Sequence, residues 1–235
     1  HAIGGGAPTS NTSHPSRVKH RTVLTSAPFC VTIVGMPLSI HTQSILRLIA
    51  ALANSDLEGE TIASQADVRD FALTHGFSAP VRITPDDVPG LHSLRQRLRA
   101  VFAEEDGAAE LDGVATAEGA AEGDGTAAAR AAELANALFQ ETHSLPQLQL
   151  HDGWGWHLHA VPNEAGIAVR TAADIAIALA DAVIDGEVSR IGHCAADDCG
   201  ALFVDLSRNR SKRFCDRGNC ANRTHVAAYR ARLTS

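Results

Sequence analysis

Four cysteines fall in two clips near the C-terminus, Cys194-x4-Cys199 and Cys215-x4-Cys220, with fifteen residues between them. No other feature limits the possible folds of this chain so strongly. A tetrahedral zinc site needs two thiolates from each of two knuckles, and the segment between them closes a small loop-rich module around the ion. Two disulfides would use the same even number, but a fifth thiol, Cys30, would be left over, and no secretory signal opens the chain. Redox pairs favour a two-residue gap, which neither clip has. The expected cofactor is therefore one structural Zn2+ per chain, held by Cys194, Cys199, Cys215 and Cys220. Four thiolates leave no open position for a catalytic water. His193, beside Cys194, could stand in for one ligand but reads better as a solvated side chain. A module of about fifty residues buries too little apolar surface to be stable alone. Structural zinc contributes on the order of 10–16 kcal/mol of apparent binding energy to folding. Phe203, Leu206 and Phe214 are expected to form a small core beside the ion.

Between the clips the chain runs Phe203-Val204-Asp205-Leu206-Ser207-Arg208-Asn209-Arg210-Ser211-Lys212-Arg213-Phe214-Cys215, and its last cysteine opens Cys220-Ala221-Asn222-Arg223. This resembles the CGNR zinc finger, a bacterial C-terminal module named for Cys-Gly-Asn-Arg at its fourth ligand, with alanine here in place of glycine. If the glycine serves a positive φ, Ala221 strains the turn; if it only makes room, a methyl fits. The resemblance covers residues 190–235 densely. More loosely, the upstream chain resembles the helical ABATE domain that usually accompanies this finger, a family described as stress-induced transcription regulators. The resemblance implies DNA binding through the finger.

Charge points the same way independently. Residues 190–235 hold nine Arg or Lys against four Asp, a net of +5, in a chain whose net charge is −7, so the upstream part carries −12. A basic module on an acidic body suggests a polyanion-binding end, with nucleic acid the foremost polyanion. Arg208, Arg210, Lys212, Arg213, Arg217, Arg223 and Arg230 are the candidate phosphate contacts. From Cys220 the chain reads as a helix to about Leu233, with Val226, Tyr229 and Leu233 on one stripe. Two readings stay open there. Either the helix packs on the finger with ordinary solvated arginines, or its stripe docks on the zinc module and turns the arginines toward phosphate.

The fold class is mainly α with a small β-hairpin: a helical N-terminal domain followed by a treble-clef-like or knuckle-type zinc module. Residues 1–38, with Gly4-Gly5-Gly6, read as a disordered or appended tail, and the single methionine, Met36, is a candidate start. Residues 39–187 read as the helical domain and 188–235 as the finger. The first helix is expected from Ser44, with Ile45, Leu48, Ile49 and Leu52 on one face. Ser64 and Asp67 form a capping box for a second helix with Val68, Phe71 and Ala72 inside and Gly76 as its stop. Thr84-Pro85-Asp86-Asp87 is a further start signal, interrupted by Pro89-Gly90 before a main helix from Leu91 to about Ala103. Residues 104–125, with eight acids and no base, read as a mobile loop. A helix from Thr126 to Thr142 follows, and a last one from Thr171, capped by Asp174, buries Ile175, Leu179, Ala182 and Val183 before Gly186 stops it. So short a link to the finger implies two docked parts.

The β signal lies between the last two helices. A three-residue loop with Gly153 left-handed pairs Leu150 with Trp154 and Leu148 with Trp156. Both tryptophans are then expected in the core, with His157 and His159 on the opposite, solvent-facing side and His151 in the loop. Two histidines at i, i+2 can chelate, but nothing near in sequence completes a set, so solvated histidines are the expectation.

The leading function is a cytoplasmic transcription regulator with a DNA-binding finger and a helical domain that dimerises or senses a small-molecule effector. A single finger buries little surface on DNA, which favours a homodimer. The alternative is a zinc-stapled protein–protein or RNA-binding adaptor. No Ser/His/Asp order, phosphate loop or HExxH is present, so the chain is not expected to be an enzyme; a buried carboxylate or histidine pair in a pocket would reopen that option. No apolar run is long enough to cross a bilayer, so no membrane partner is expected.

Overall fold

In the computed structural model, the described residues are 38–103, 126–151, 153 and 155–234. The expectations for the N-terminal tail with Cys30 and Met36, for the acidic segment 104–125 and for Trp154 lie outside the described residues. Among the described residues there are six helices and two antiparallel hairpins: α1 (Ile40–Ala53), α2 (Gln65–Thr74), α3 (Asp87–Val101), α4 (Ala127–Glu141), β1 (Gln147–Leu150), β2 (Trp156–His159), α5 (Ile167–Ile184), β3 (Ile191–His193), β4 (Leu202–Val204) and α6 (Cys220–Thr234).

Local caps set several of these boundaries. The Ser39 hydroxyl accepts from Thr42 N–H at 2.9 Å, so α1 begins ahead of Ser44. Ser64 and Asp67 form the expected reciprocal box on α2, and Gly76 follows that helix at φ 71°. Thr126 caps α4. The expected break at Pro89-Gly90 does not occur. Pro89 is the third residue of α3, where the missing N–H has no intrahelical acceptor to lose. Gly90 serves close packing instead, because a Cβ there would sit 2.7 Å from the Ala168 Cβ of α5.

The last body helix also starts earlier than its sequence suggests. α5 begins at Ile167, and Thr171 is fully buried within it. Its first turn is held by a carboxylate from a distant element: Asp87 Oδ1 accepts from Ala168 N–H at 2.8 Å while Oδ2 accepts from Thr84 N–H at 2.5 Å. α5 is buried almost all round, as a helix apolar on every face must be, and packs against α4, α1 and α3. Ile175 and Leu179 sit with Leu46, Ile49, Leu91, Leu98 and Leu138 in the main core.

The hairpin departs from expectation in both register and facing. β1 and β2 pair with Leu150 opposite Trp156 and Leu148 opposite Leu158. The connection is therefore 151–155, with Gly153 and Gly155 both at positive φ. The apolar stripe faces outward: Trp156 is 70 % exposed and Leu148 65 %. His157 is buried. Alternation separates the two faces of a strand, but a helical body that offers a polar pocket decides which face is covered.

The zinc module is fastened to the helices. Ile191, Leu202, Val204 and Leu206 join the main core, so Leu206 is not part of the expected cluster with Phe203 and Phe214. The Asn54 side chain pairs with β4 as a strand would, donating from Nδ2 to Leu202 O at 2.7 Å and accepting from Leu202 N–H at 2.9 Å.

Candidate metal centre

Each cysteine pair sits on a backbone turn. Cys194 and Cys199 lie in the connection from β3 to β4, where Cys194 N–H bonds Ala201 O and Cys199 N–H bonds Ala196 O, both at 2.9 Å. Cys215 lies in the following loop, and Cys220 is the first residue of α6, a position where the helix dipole favours a thiolate. A hairpin knuckle facing a helix start is the treble-clef-like arrangement anticipated from the sequence.

The four sulfurs lie within 4.8 Å of one another, and Cys215 Sγ is 3.7 Å from both Cys199 Sγ and Cys220 Sγ. Disulfide bonding, at about 2.05 Å, is far from these separations. A zinc–sulfur bond of about 2.3 Å gives a tetrahedral edge of about 3.8 Å, which the two closest pairs match. Cys194, Cys215 and Cys220 are buried beside Phe203. Outer partners complete the shell: Cys215 N–H donates to Cys194 Sγ at 3.4 Å, and Arg223 Nη2 donates to Cys220 Sγ at 3.5 Å. Desolvation, with hydrogen bonds to the other thiols, pushes Cys220 up to about 12. Desolvation raises Cys194, but backbone N–H donors from Cys215 and Ala196, with hydrogen bonds to the other thiols, bring it down to about 7. Donor set, geometry and enclosure all suit zinc. Ala221 lies in the first turn of α6 without positive φ, so the change from glycine puts a methyl group where a helix accepts it.

The cationic side chains have diverse surroundings. Arg210 pairs with buried Glu187 at 2.7 Å, and Lys212 with Asp216 at 2.6 Å. Arg217 donates to Asn54 O at 3.0 Å, and Arg223 pairs with Asp198 at 2.9 Å. Arg208 and Arg213 are exposed and make no ion pair among the described residues. Arg230 is exposed on α6, whose Val226, Tyr229 and Leu233 also face outward. The reading in which that stripe docks on the zinc module is therefore overturned. His193 is neither solvated nor a ligand, since its Nε2 donates to Phe102 O at the end of α3.

A second cluster departs from the expectation of solvated histidines. His151, His157 and His159 bring their ring nitrogens within 4.8 Å of one another under the hairpin. The i, i+2 spacing was the available signal, and the outward facing assigned to it was wrong.

Residues 46–186 match the family model ABATE, described as "Putative stress-induced transcription regulator", and residues 190–233 match the model described as "CGNR zinc finger". No curated protein matches the chain.

Proposed function

We propose, from the premise that this chain belongs to the ABATE family and carries a CGNR zinc finger, that it is a transcription regulator binding duplex DNA through its zinc-held C-terminal module. The observation that carries this reading is α6. It leaves the metal site with Arg223 and Arg230 along one exposed edge and Arg232 toward the opposite side, and has no acidic residue. Arg208 and Arg213 extend the cationic surface over the neighbouring loop. Zinc, one ion for the four-thiolate site, holds the start of α6 against the knuckle and so fixes these cations relative to one another. The paired cations contribute less: Arg210 is bound to a buried carboxylate, and Arg217 joins the finger to the body. Lys212 and Arg223 hold exposed carboxylates in pairs of a kind worth at most about 1 kcal/mol, which a phosphate can displace.

A cleft of about 740 Å3 between α1, β4 and the loop to Arg217 has the size for a small-molecule effector, with Arg47, Lys212 and Arg217 on its wall. The outward apolar face of the hairpin, with Leu148, Leu150 and Trp156, favours a homodimer through the helical body. Four cysteines gathered as metal ligands rather than joined as disulfides fit a reducing, cytoplasmic setting; no described helix is long and apolar enough to cross a membrane. Catalysis has no part in this reading.

Fluorescence anisotropy of the zinc-loaded protein with random duplex DNA across a salt series tests the proposal. Five exposed arginines (208, 213, 223, 230 and 232) give a log–log salt slope of at most about −4.5. Binding should weaken in Arg208→Ala/Arg213→Ala and vanish in Cys215→Ser/Cys220→Ser. Absence of duplex binding at low salt by a folded, zinc-loaded sample refutes it, and a preference for single-stranded RNA turns the assignment to the adaptor.

A further inference from the structure

The buried face of the hairpin carries chemistry that the regulator reading does not use. His157 and His159 point from β2 toward the helices, and His151 reaches the same place from the start of the connection. His41 of α1 stacks on His157 with ring centroids 4.6 Å apart. His159 Nε2 lies 2.9 Å from His157 Nε2 and 3.0 Å from His151 Nε2.

Three imidazole nitrogens at this spacing need something between them. A neutral imidazole owns one N–H. His157 Nδ1 bonds Gly155 O at 2.9 Å, which commits its N–H there and leaves a lone pair on Nε2. His159 Nε2 faces that lone pair on one side and a second ring nitrogen on the other. A single N–H can serve one of the two neighbours well, whereas a cation among the three nitrogens satisfies all of them. Metal–nitrogen bonds of about 2.0–2.1 Å place neighbouring ligand nitrogens about 2.9–3.4 Å apart, from octahedral to tetrahedral geometry. The two separations from His159 fall in that range, and all three ligand nitrogens lie within 4.8 Å of one another.

The pocket favours an ion over an organic ligand. Its volume is about 30 Å3, room for an ion with a water. Asp174 on α5 supplies the pocket's carboxylate, and Arg170 beside it is held by the carbonyls of Ser78, Pro80 and Asn163 at 3.0–3.3 Å.

We propose that His151, His157 and His159 form a second metal site, in the helical body, for a divalent transition cation of the zinc, cobalt or nickel type. Three neutral imidazoles keep the full charge of the ion and leave a position for water or a small anion. A role for this site in sensing rests on the regulator reading; the site itself does not.

The test is Co2+ titration of the full-length chain with its thiolate site already filled by zinc, followed by calorimetry and visible absorption. One further Co2+ per chain is expected, with cobalt d–d bands and no thiolate-to-cobalt charge transfer. In His157→Gln/His159→Gln that binding should fall at least tenfold, while the zinc in the thiolate site and the helical circular dichroism signal are retained. Failure of the zinc-loaded chain to take up a second ion at micromolar Co2+ overturns the proposal, and so does equal uptake by the double variant. Should the double variant lose its helical signal, the wild-type chain decides the matter by NMR. Paramagnetic broadening of the His151, His157 and His159 ring resonances supports the site, and sharp resonances there overturn it. DNA binding is read on the same samples, so loss of the regulator reading and loss of the metal site are separate results.

Discussion

Truncating Asn54 should loosen the whole junction between the helices and the finger. Its side chain is buried and forms both hydrogen bonds to Leu202 of β4, one donated at 2.7 Å and one accepted at 2.9 Å. Asn54→Ala leaves the Leu202 N–H and C=O buried without those partners. Each unmet backbone group costs about 1–3 kcal/mol, so the sum is about 2–6 kcal/mol. Against a typical domain stability of about 5–15 kcal/mol, this is a large fraction. Asn54→Asp should be no milder at neutral pH, since it keeps the acceptor but sets a carboxylate oxygen against the Leu202 carbonyl. Arg217→Ala is the control: it removes one half-exposed bond to Asn54 O at 3.0 Å and should cost about 1 kcal/mol or less. The assay is urea unfolding of the zinc-loaded protein by circular dichroism, paired with hydrogen exchange at the Leu202 amide. A loss below about 0.5 kcal/mol for Asn54→Ala, with that amide still protected, would refute the reasoning.

Three further outcomes are expected. Gly90→Ala should destabilise by about 1–3 kcal/mol, because the new methyl meets the Ala168 Cβ at 2.7 Å, and Ala168→Gly should restore part of the loss in a double-mutant cycle measured by thermal unfolding. Removing zinc with a chelator should abolish the finger's ordered amide signals while the α5 core stays protected, since the module's binding energy is its folding energy; unchanged finger amides in metal-free protein would contradict this. Glu60 is held at about 2, first by its hydrogen bonds from Arg95. A depressed folded value gives stability that is present above the ordinary range near 4.5 and lost as pH falls from there toward 2. Allowing for solvent screening of a carboxylate about one-third exposed, the loss is about 1–2 kcal/mol. Glu60→Gln should flatten that part of the stability–pH curve, and an unchanged slope would count against the assignment.

Much of the finger was legible because its instructions are local. Each cysteine pair spans a single turn, so residue spacing alone placed four sulfurs around one point, and Ser64 with Asp67 marked a helix start within three residues. The surface role of the cations was less legible: Arg210 looks free in sequence, yet its partner Glu187 lies 23 residues away.

What the sequence determined unaided is therefore the gathering of the four cysteines around one point, the helical character of the body and the caps whose donor and acceptor are neighbours. Tertiary structure alone decided where α5 begins, since the carboxylate that holds its first turn comes from Asp87, 81 residues earlier. It also decided which face of the hairpin is covered. Period-two alternation separates Leu148, Leu150 and Trp156 from the histidines, but burial is settled by what the opposing surface offers. Here that surface is His41, Ser78, Arg170 and Asp174, a polar pocket with which imidazoles make hydrogen bonds and ring contacts that tryptophan and leucine cannot fully replace.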